Sequence, residues 1–198
     1  MKTKLFNFIN CFSTFFCMIN KLNTSWVLWY DKRNHNIGSQ DWDKFLIRIS
    51  SFGDIENFCN LLGKVIPLSQ LPNGASYHFF RQGIEPRWED KNNIEGGRWT
   101  IVLQKKNLNK ANKLWFLTLT NILGGSFGQN MMTSITGIVG TVKKGQIRIA
   151  VWTKNSKDKN LQIKIGKSWK NLIYESHLIE KFAIEFFPHE TKIKRKSF

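Results

Sequence analysis

The run RWTIVLQ, Arg98 to Gln104, puts Trp99, Ile101 and Leu103 on one side of an extended chain and Thr100, Val102 and Gln104 on the other. Strict apolar-polar alternation has the period of a half-buried strand and matches no helix face. Shorter runs of similar character recur: SWVLWY from Ser25, FLIRIS from Phe45, YHFFR from Tyr77 and FAIEFF from Phe182. In TGIVGTVKKGQIRIAVWT two β-branched runs flank a basic Lys143-Lys144-Gly145 turn, which reads as a hairpin. SFGDIENFCNLLGKV carries Ile55, Phe58, Cys59 and Leu62 at helical spacing, with Asp54 placed to cap and Gly63 near the stop. NKANKLWFLTLTNILGG repeats the pattern with Trp115, Leu119 and Ile122, ending at Gly124-Gly125. NLQIKIGKSWKNLI fits a third helix on Leu161, Ile165, Trp169 and Leu172, although its first half alternates like a strand. Strands with a few interspersed helices predict an α+β fold, one antiparallel sheet with helices packed on one face.

A chain of 198 residues suits one domain with a substantial core. Ordered structure is expected from about Leu22, giving a domain over 21–198 behind an extension over 1–20. That extension has a basic start and a Phe-rich run, but Asn7, Asn10, Ser13 and Thr14 interrupt it. It lacks a small-residue cleavage site and falls short of the ~20 apolar residues of a membrane span, so no membrane is expected. Cys11, Cys17 and Cys59 lack zinc spacing, and His35, His78, His177 and His189 are scattered. A reducing compartment with no metal, cofactor or disulfide follows: the cytoplasm, or its equivalent in a reduced, AT-rich endosymbiont nucleus. No Ser-His or Cys-His constellation and no phosphate-binding glycine loop supports an enzyme.

The net charge is +16, from 30 Lys plus Arg against 14 Asp plus Glu. Part of that excess fits the Lys-rich drift of an AT-biased genome, and the rest points to a polyanionic partner, nucleic acid before membrane. Eight Trp and 16 Phe exceed what one small core needs. Trp26, Trp29, Trp99, Trp115 and Trp169 fall on strand or helix patterns and read as core. Some of the remaining indoles are therefore expected to work at a surface.

GIEPRWEDKNNIEGGRW, Gly83 to Trp99, has neither a helix face nor a strand period, yet sets Trp88 beside Glu89 and Arg98 beside Trp99. Two indoles closing on a flat ring contribute about 1–3 kcal/mol of stacking per base. A cationic ring adds roughly 0.5–2 kcal/mol of cation–π attraction. A neighbouring carboxylate accepts two parallel N–H bonds from a guanine edge and balances a positive ring. 7-Methylguanine supplies both the charge and the donors. Trp42, Trp88 and Glu89 suit that base, and Arg98, Lys143, Lys144 and Arg148 suit a chain of phosphates.

In order and spacing, SWVLWY, GIEPRWED, GGRW and IAVWT resemble the eukaryotic translation initiation factor 4E family of mRNA cap-binding proteins. The resemblance covers about Leu22 to the carboxy terminus. It implies a curved antiparallel sheet with about three helices on its convex face and the cap in a concave slot. It implies a cytoplasmic, non-enzymatic initiation factor, monomeric, that binds 7-methylguanosine-capped mRNA. By the same resemblance Trp42 and Trp88 sandwich the base, Glu89 reads its edge and Trp152 lies against the N7 methyl. Arg98, Lys143 or Lys144, and Arg148 hold the phosphates, and His189 falls near a cap-proximal loop or on the surface.

The family's partner-helix surface corresponds to Leu22, Ile55, Cys59, Phe116 and Leu117. Here Cys59 stands where the family has a Trp, Asn20-Lys21-Leu22 where it has His-Pro-Leu, and Leu117 where it has an acid. Loss of that indole removes an interface hot spot and leaves open whether the usual scaffold factor or binding-protein helix docks. Two alternatives therefore stand beside an initiation factor: a cap-binding repressor, and an unspecific basic single-stranded RNA binder.

Overall fold

A computed structural model of the chain describes residues 21–32, 45–104 and 107–189. The alternating runs become seven strands: β1 Lys21–Lys32, β2 Ile47–Asp54, β3 Ala75–Arg81, β4 Gly97–Gln104, β5 Ile135–Lys143, β6 Gln146–Thr153 and β7 Ile184–Pro188. They form one curved sheet in the order β2-β1-β3-β5-β6-β4-β7, every neighbouring pair antiparallel. The helices are α1 Ile55–Lys64, α2 Leu108–Leu123, α3 Gln129–Ser134 and α4 Lys159–Glu175.

Several boundaries differ from the sequence expectation. Strand β2 starts at Ile47 rather than Phe45 and runs on to Asp54. Asp54 then ends the strand and caps α1, its carboxylate accepting from the Asn57 N–H at 2.7 Å. Helix α2 stops at Leu123 ahead of Gly124, as the glycine pair predicts. The segment with conflicting periods is helical throughout, capped by Asp158 on the Leu161 N–H at 3.0 Å. Its buried Ile165, Trp169 and Ile173 follow the helical spacing, and burial on that face decides between the two periods. The short α3 was not expected, since MMTS offers no repeat long enough to show a period.

One face of the sheet carries the main core, where Trp26, Leu28, Phe79, Ile101, Ile138 and Val151 meet Leu114, Trp115 and Leu119 of α2 and Ile165 and Trp169 of α4. Of the five tryptophans read as core, Trp26, Trp115 and Trp169 are buried and the half-buried Trp99 packs against this cluster. Trp29 is the exception. Alternation along β1 turns it to the opposite face, opposite His78 of β3, and it is only half-buried. Trp99 donates from its indole nitrogen to the Gln162 carbonyl at 3.1 Å, tying β4 to α4. A Cβ at Gly166 would lie 2.5 Å from the Trp99 ring, so this helix–sheet approach needs a glycine. Gly166→Ala is expected to cost about 1–3 kcal/mol by overpacking, read as a lower melting temperature. An unchanged melting temperature would contradict that packing.

The other face lacks covering helices among the described residues, and the strand register lays it out in rows. Val27, Phe80, Gly137, Trp152, Arg98 and Phe187 lie across six adjacent strands. The next row holds Trp29, His78, Val139, Ala150, Thr100 and Glu185. Asp31, Ser76, Thr141, Arg148 and Val102 make a third, and Lys143, Gln146 and Gln104 a fourth. This open face carries Trp152, Arg98, Arg148 and Lys143 of the candidate site.

Candidate nucleic-acid interface

Between β3 and β4 the chain makes a loop with no helix or strand, and two polar side chains hold it. The Asp90 carboxylate accepts from the Glu85 N–H at 2.9 Å and the Asn92 N–H at 2.8 Å. Asn93 is fully buried, and its amide donates to the Glu85 carbonyl at 3.0 Å and the Arg87 carbonyl at 2.9 Å. The Arg87 guanidinium pairs with the Glu85 carboxylate at 2.7 Å. Trp88 and Glu89 stand between these anchors, the indole half-buried and the carboxylate exposed. Glu89 makes no hydrogen bond or ion pair with another described residue. An acid held on a fixed loop, not consumed by a neighbour, is ready for an external donor.

The loop is fastened to the open face at two points. Ile84 packs, as Trp152 does, against the buried patch of Phe80, Val139 and Ala150. His189, just past β7, bonds through Nδ1 to the Asn93 carbonyl at 2.8 Å, and its ring centroid lies 4.3 Å from that of Trp152. The carbonyl only accepts, so the neutral ring carries its proton on Nδ1. Phe80 meets Trp152 edge-on at 5.4 Å. Gly137 opposite Phe80 allows this, because a Cβ there would stand 2.6 Å from the Phe80 ring.

Burial lowers the His189 pKa below the ordinary histidine value, and Arg98 adds to that, while the bond to Asn93 opposes it. A depressed folded-state pKa means the unfolded chain binds the proton more readily. Stability is therefore expected to fall as pH drops below about 6.5, the ordinary histidine range. The melting temperature of the His189→Phe variant, which keeps a ring against Trp152, should vary less between pH 7.5 and 5.5. Equal pH dependence in both proteins would count against this role.

The cations are arranged unequally. Arg98 is the strand neighbour of Trp152, with its guanidinium 5.7 Å from the Phe187 ring centroid. Arg148 lies on the same face four residues back along β6, about 14 Å from Trp152 at ordinary strand rise. Lys143 is on this face one row further, while Lys144 falls in the exposed turn. Strand parity therefore separates Lys143 from Lys144, which the sequence left as alternatives. Trp42 lies outside the described residues. On the same face, the His78 Nε2–H donates to the buried Asp31 carboxylate at 3.0 Å. Among the described residues no cluster of His, Cys, Asp and Glu could hold a metal, and no helix is long and apolar enough to cross a membrane.

On the helix side, Leu22, Cys59 and Leu117 are partly buried against the core, whereas Ile55 and Phe116 are 44% and 37% exposed. Burial raises the Cys59 pKa, keeping it a neutral thiol.

The family model described as eukaryotic initiation factor 4E matches residues 21–198. The chain belongs to the eukaryotic initiation factor 4E family. Eukaryotic translation initiation factor 4E of Saccharomyces cerevisiae is 33% identical over 179 residues, covering 90% of this chain and 81% of that protein. The Candida glabrata protein of that name is 35% identical over 176 residues, covering 89% and 81%. Among solved structures, Ascaris suum eIF4E-3 in complex with the m2,2,7G cap superposes with a TM-score of 0.79 at 28% identity, covering 88% of this chain and 93% of that one. Caenorhabditis elegans eIF4E-3, solved with the 4E-binding protein Mextli and a cap analogue, gives 0.77 at 27%, covering 87% and 94%.

Membership in the 4E family was legible from GIEPRWED, GGRW and IAVWT. Several residues that shape the loop were not. Nothing in the motif marks Asp90 as an anchor, and Asn93 carries no signal, because a loop asparagine ordinarily faces water. Phe80 and Gly137 read as ordinary strand residues, and their support of Trp152 emerges only from cross-strand register.

Proposed function

We propose that this 4E-family chain binds the 7-methylguanosine cap of mRNA in translation initiation, holding it between the Gly83–Gly96 loop and the open face of the sheet. It is a binding factor and not an enzyme. Cap complexes of the eIF4E-3 relatives support the ligand class. The observation that carries the residue assignment is the presentation of Trp88 and the unengaged Glu89 on a loop packed over the Phe80–Trp152 patch. Trp88 covers one face of the methylated base, and Trp42 closes the other. Glu89 accepts the two N–H groups of the guanine edge, and Trp152 borders the N7 methyl. Arg98 takes the triphosphate beside Trp152, Arg148 and Lys143 add positive charge further along the sheet, and Lys144, at the hairpin tip, adds charge without a fixed contact. The place of action is the cytoplasm, with the translation machinery.

The test is retention on cap-analogue resin. Elution by the methylated dinucleotide but not by GTP is the expected result. Equal elution by both, or a salt dependence as steep for uncapped as for capped RNA, would favour an unspecific binder.

On the helix side we assign Leu22, Ile55, Cys59, Phe116 and Leu117 to a partner segment; the Mextli complexes of the C. elegans relative support a binding-protein partner. The exposed Ile55 and Phe116 offer apolar contact, but Cys59 supplies no large ring for an anchor. The chain acts as a monomer, its partner selected differently from a tryptophan-bearing relative's. A peptide from the family's usual scaffold helix is expected to bind weakly, and Cys59→Trp to strengthen it. Tight binding to the unaltered chain would overturn that assignment and favour the ordinary scaffold interaction.

A further inference from the structure

We infer that the exposed ring of Phe187 is a stacking platform for the base of the nucleotide that follows the cap. The inference rests on the cap reading above and extends it beyond the methylated base and the phosphates. Phe187 is 41% exposed on β7, the strand at the end of the sheet order. It occupies the same row as Arg98 and Trp152, two strand spacings from Trp152, or about 10 Å. Arg98 lies between the two rings, its guanidinium 5.7 Å from the Phe187 centroid. With the methylated base bordered by Trp152 and the triphosphate gathered at Arg98, the second base falls at Phe187 in the same row. Proteins that hold single-stranded nucleic acid use this combination of a cation on the backbone and an aromatic ring under the next base. A stacking face tolerates any base, so no edge-reading acid or amide is needed beside it.

The ring could instead serve only to orient Arg98. The two roles separate by which ligand suffers when the ring is removed. Dissociation constants for m7GTP and for the dinucleotide m7GpppA are measured by fluorescence titration of the full chain and of Phe187→Ala. The platform predicts that Phe187→Ala weakens m7GpppA by about tenfold, within the usual range for one stacked base. Binding of m7GTP should stay within about twofold. Phe187→Trp should bind m7GpppA at least as tightly as the unaltered chain. Equal weakening of both ligands would show that the ring only positions Arg98, and no weakening of either would show that it has no part in binding. A chain that binds m7GpppA no better than GpppA would instead sink the cap reading itself.

Discussion

Replacing Trp88 by alanine is expected to weaken binding of 7-methyl-GTP about a hundredfold while leaving the fold in place. The indole supplies one stacking face, at about 1–3 kcal/mol, and a cation–π term of roughly 0.5–2 kcal/mol against the positive ring. Their sum sets the scale, at about 1.4 kcal/mol per factor of ten. The ring is half-buried in a loop held by Asp90 and Asn93, so its loss leaves those anchors in place. Glu89→Ala should be of similar size by a different route. Hydrogen bonds to a charged group contribute about 1.5–3 kcal/mol each, and the alanine variant leaves two donors of the base unpaired. Glu89→Gln is a sharper probe, since its amide turns a donor toward donors. Equilibrium titration with circular dichroism on each variant checks both. Normal binding by any of the three would show that the pocket lies elsewhere.

The second large effect belongs to a residue that never meets the ligand. Asn93→Ala removes both amide hydrogen bonds, while the Glu85 and Arg87 carbonyls keep the backbone N–H groups of Arg87 and Asp90. Each lost hydrogen bond contributes about 0.5–1.5 kcal/mol, so a loss of roughly 1–3 kcal/mol is expected. Loss of the loop's shape should carry cap affinity down with it. Asn93→Asp keeps the volume but sets a carboxylate against two carbonyl oxygens, and it should be at least as damaging. The measurement is chemical denaturation alongside cap titration. A variant with unchanged stability would show that Asn93 is not the loop's anchor. Lost stability with full affinity would show that Trp88 and Glu89 are positioned without it.

Much of the fold could be read from local pattern. The alternation in RWTIVLQ, the Asp54 cap and the Gly124 stop each reflect a short-range rule, and each falls within a residue or two of its place. Where local rules conflicted, tertiary burial decided. Ile165, Trp169 and Ile173 pull the ambiguous 160–173 stretch into helix α4, and Ser51 to Asp54 join β2 because they pair with β1. Trp29 shows the limit of reading burial from a strand pattern: a β-strand has two faces, and alternation does not say which one the helices cover. The site divides along the same line. Trp88, Glu89, Arg98 and Trp152 lie in motifs specific enough to name a family, whereas which of Lys143 and Lys144 shares the open face needs the hairpin register. The Gly137–Phe80 approach and the His189–Asn93 bond join residues far apart in sequence, and no local signal marks such pairs.

A cationic purine gripped by indoles, with its edge verified by one acid, has a single quantitative signature: how far methylation at N7 changes affinity. Dissociation constants of the full chain for 7-methyl-GTP and GTP, taken under one buffer and salt by tryptophan fluorescence quenching, measure it. Two cation–π faces of roughly 0.5–2 kcal/mol each place the methylated ligand about a hundredfold tighter. Equal constants for the two nucleotides would contradict the account, whatever their absolute size.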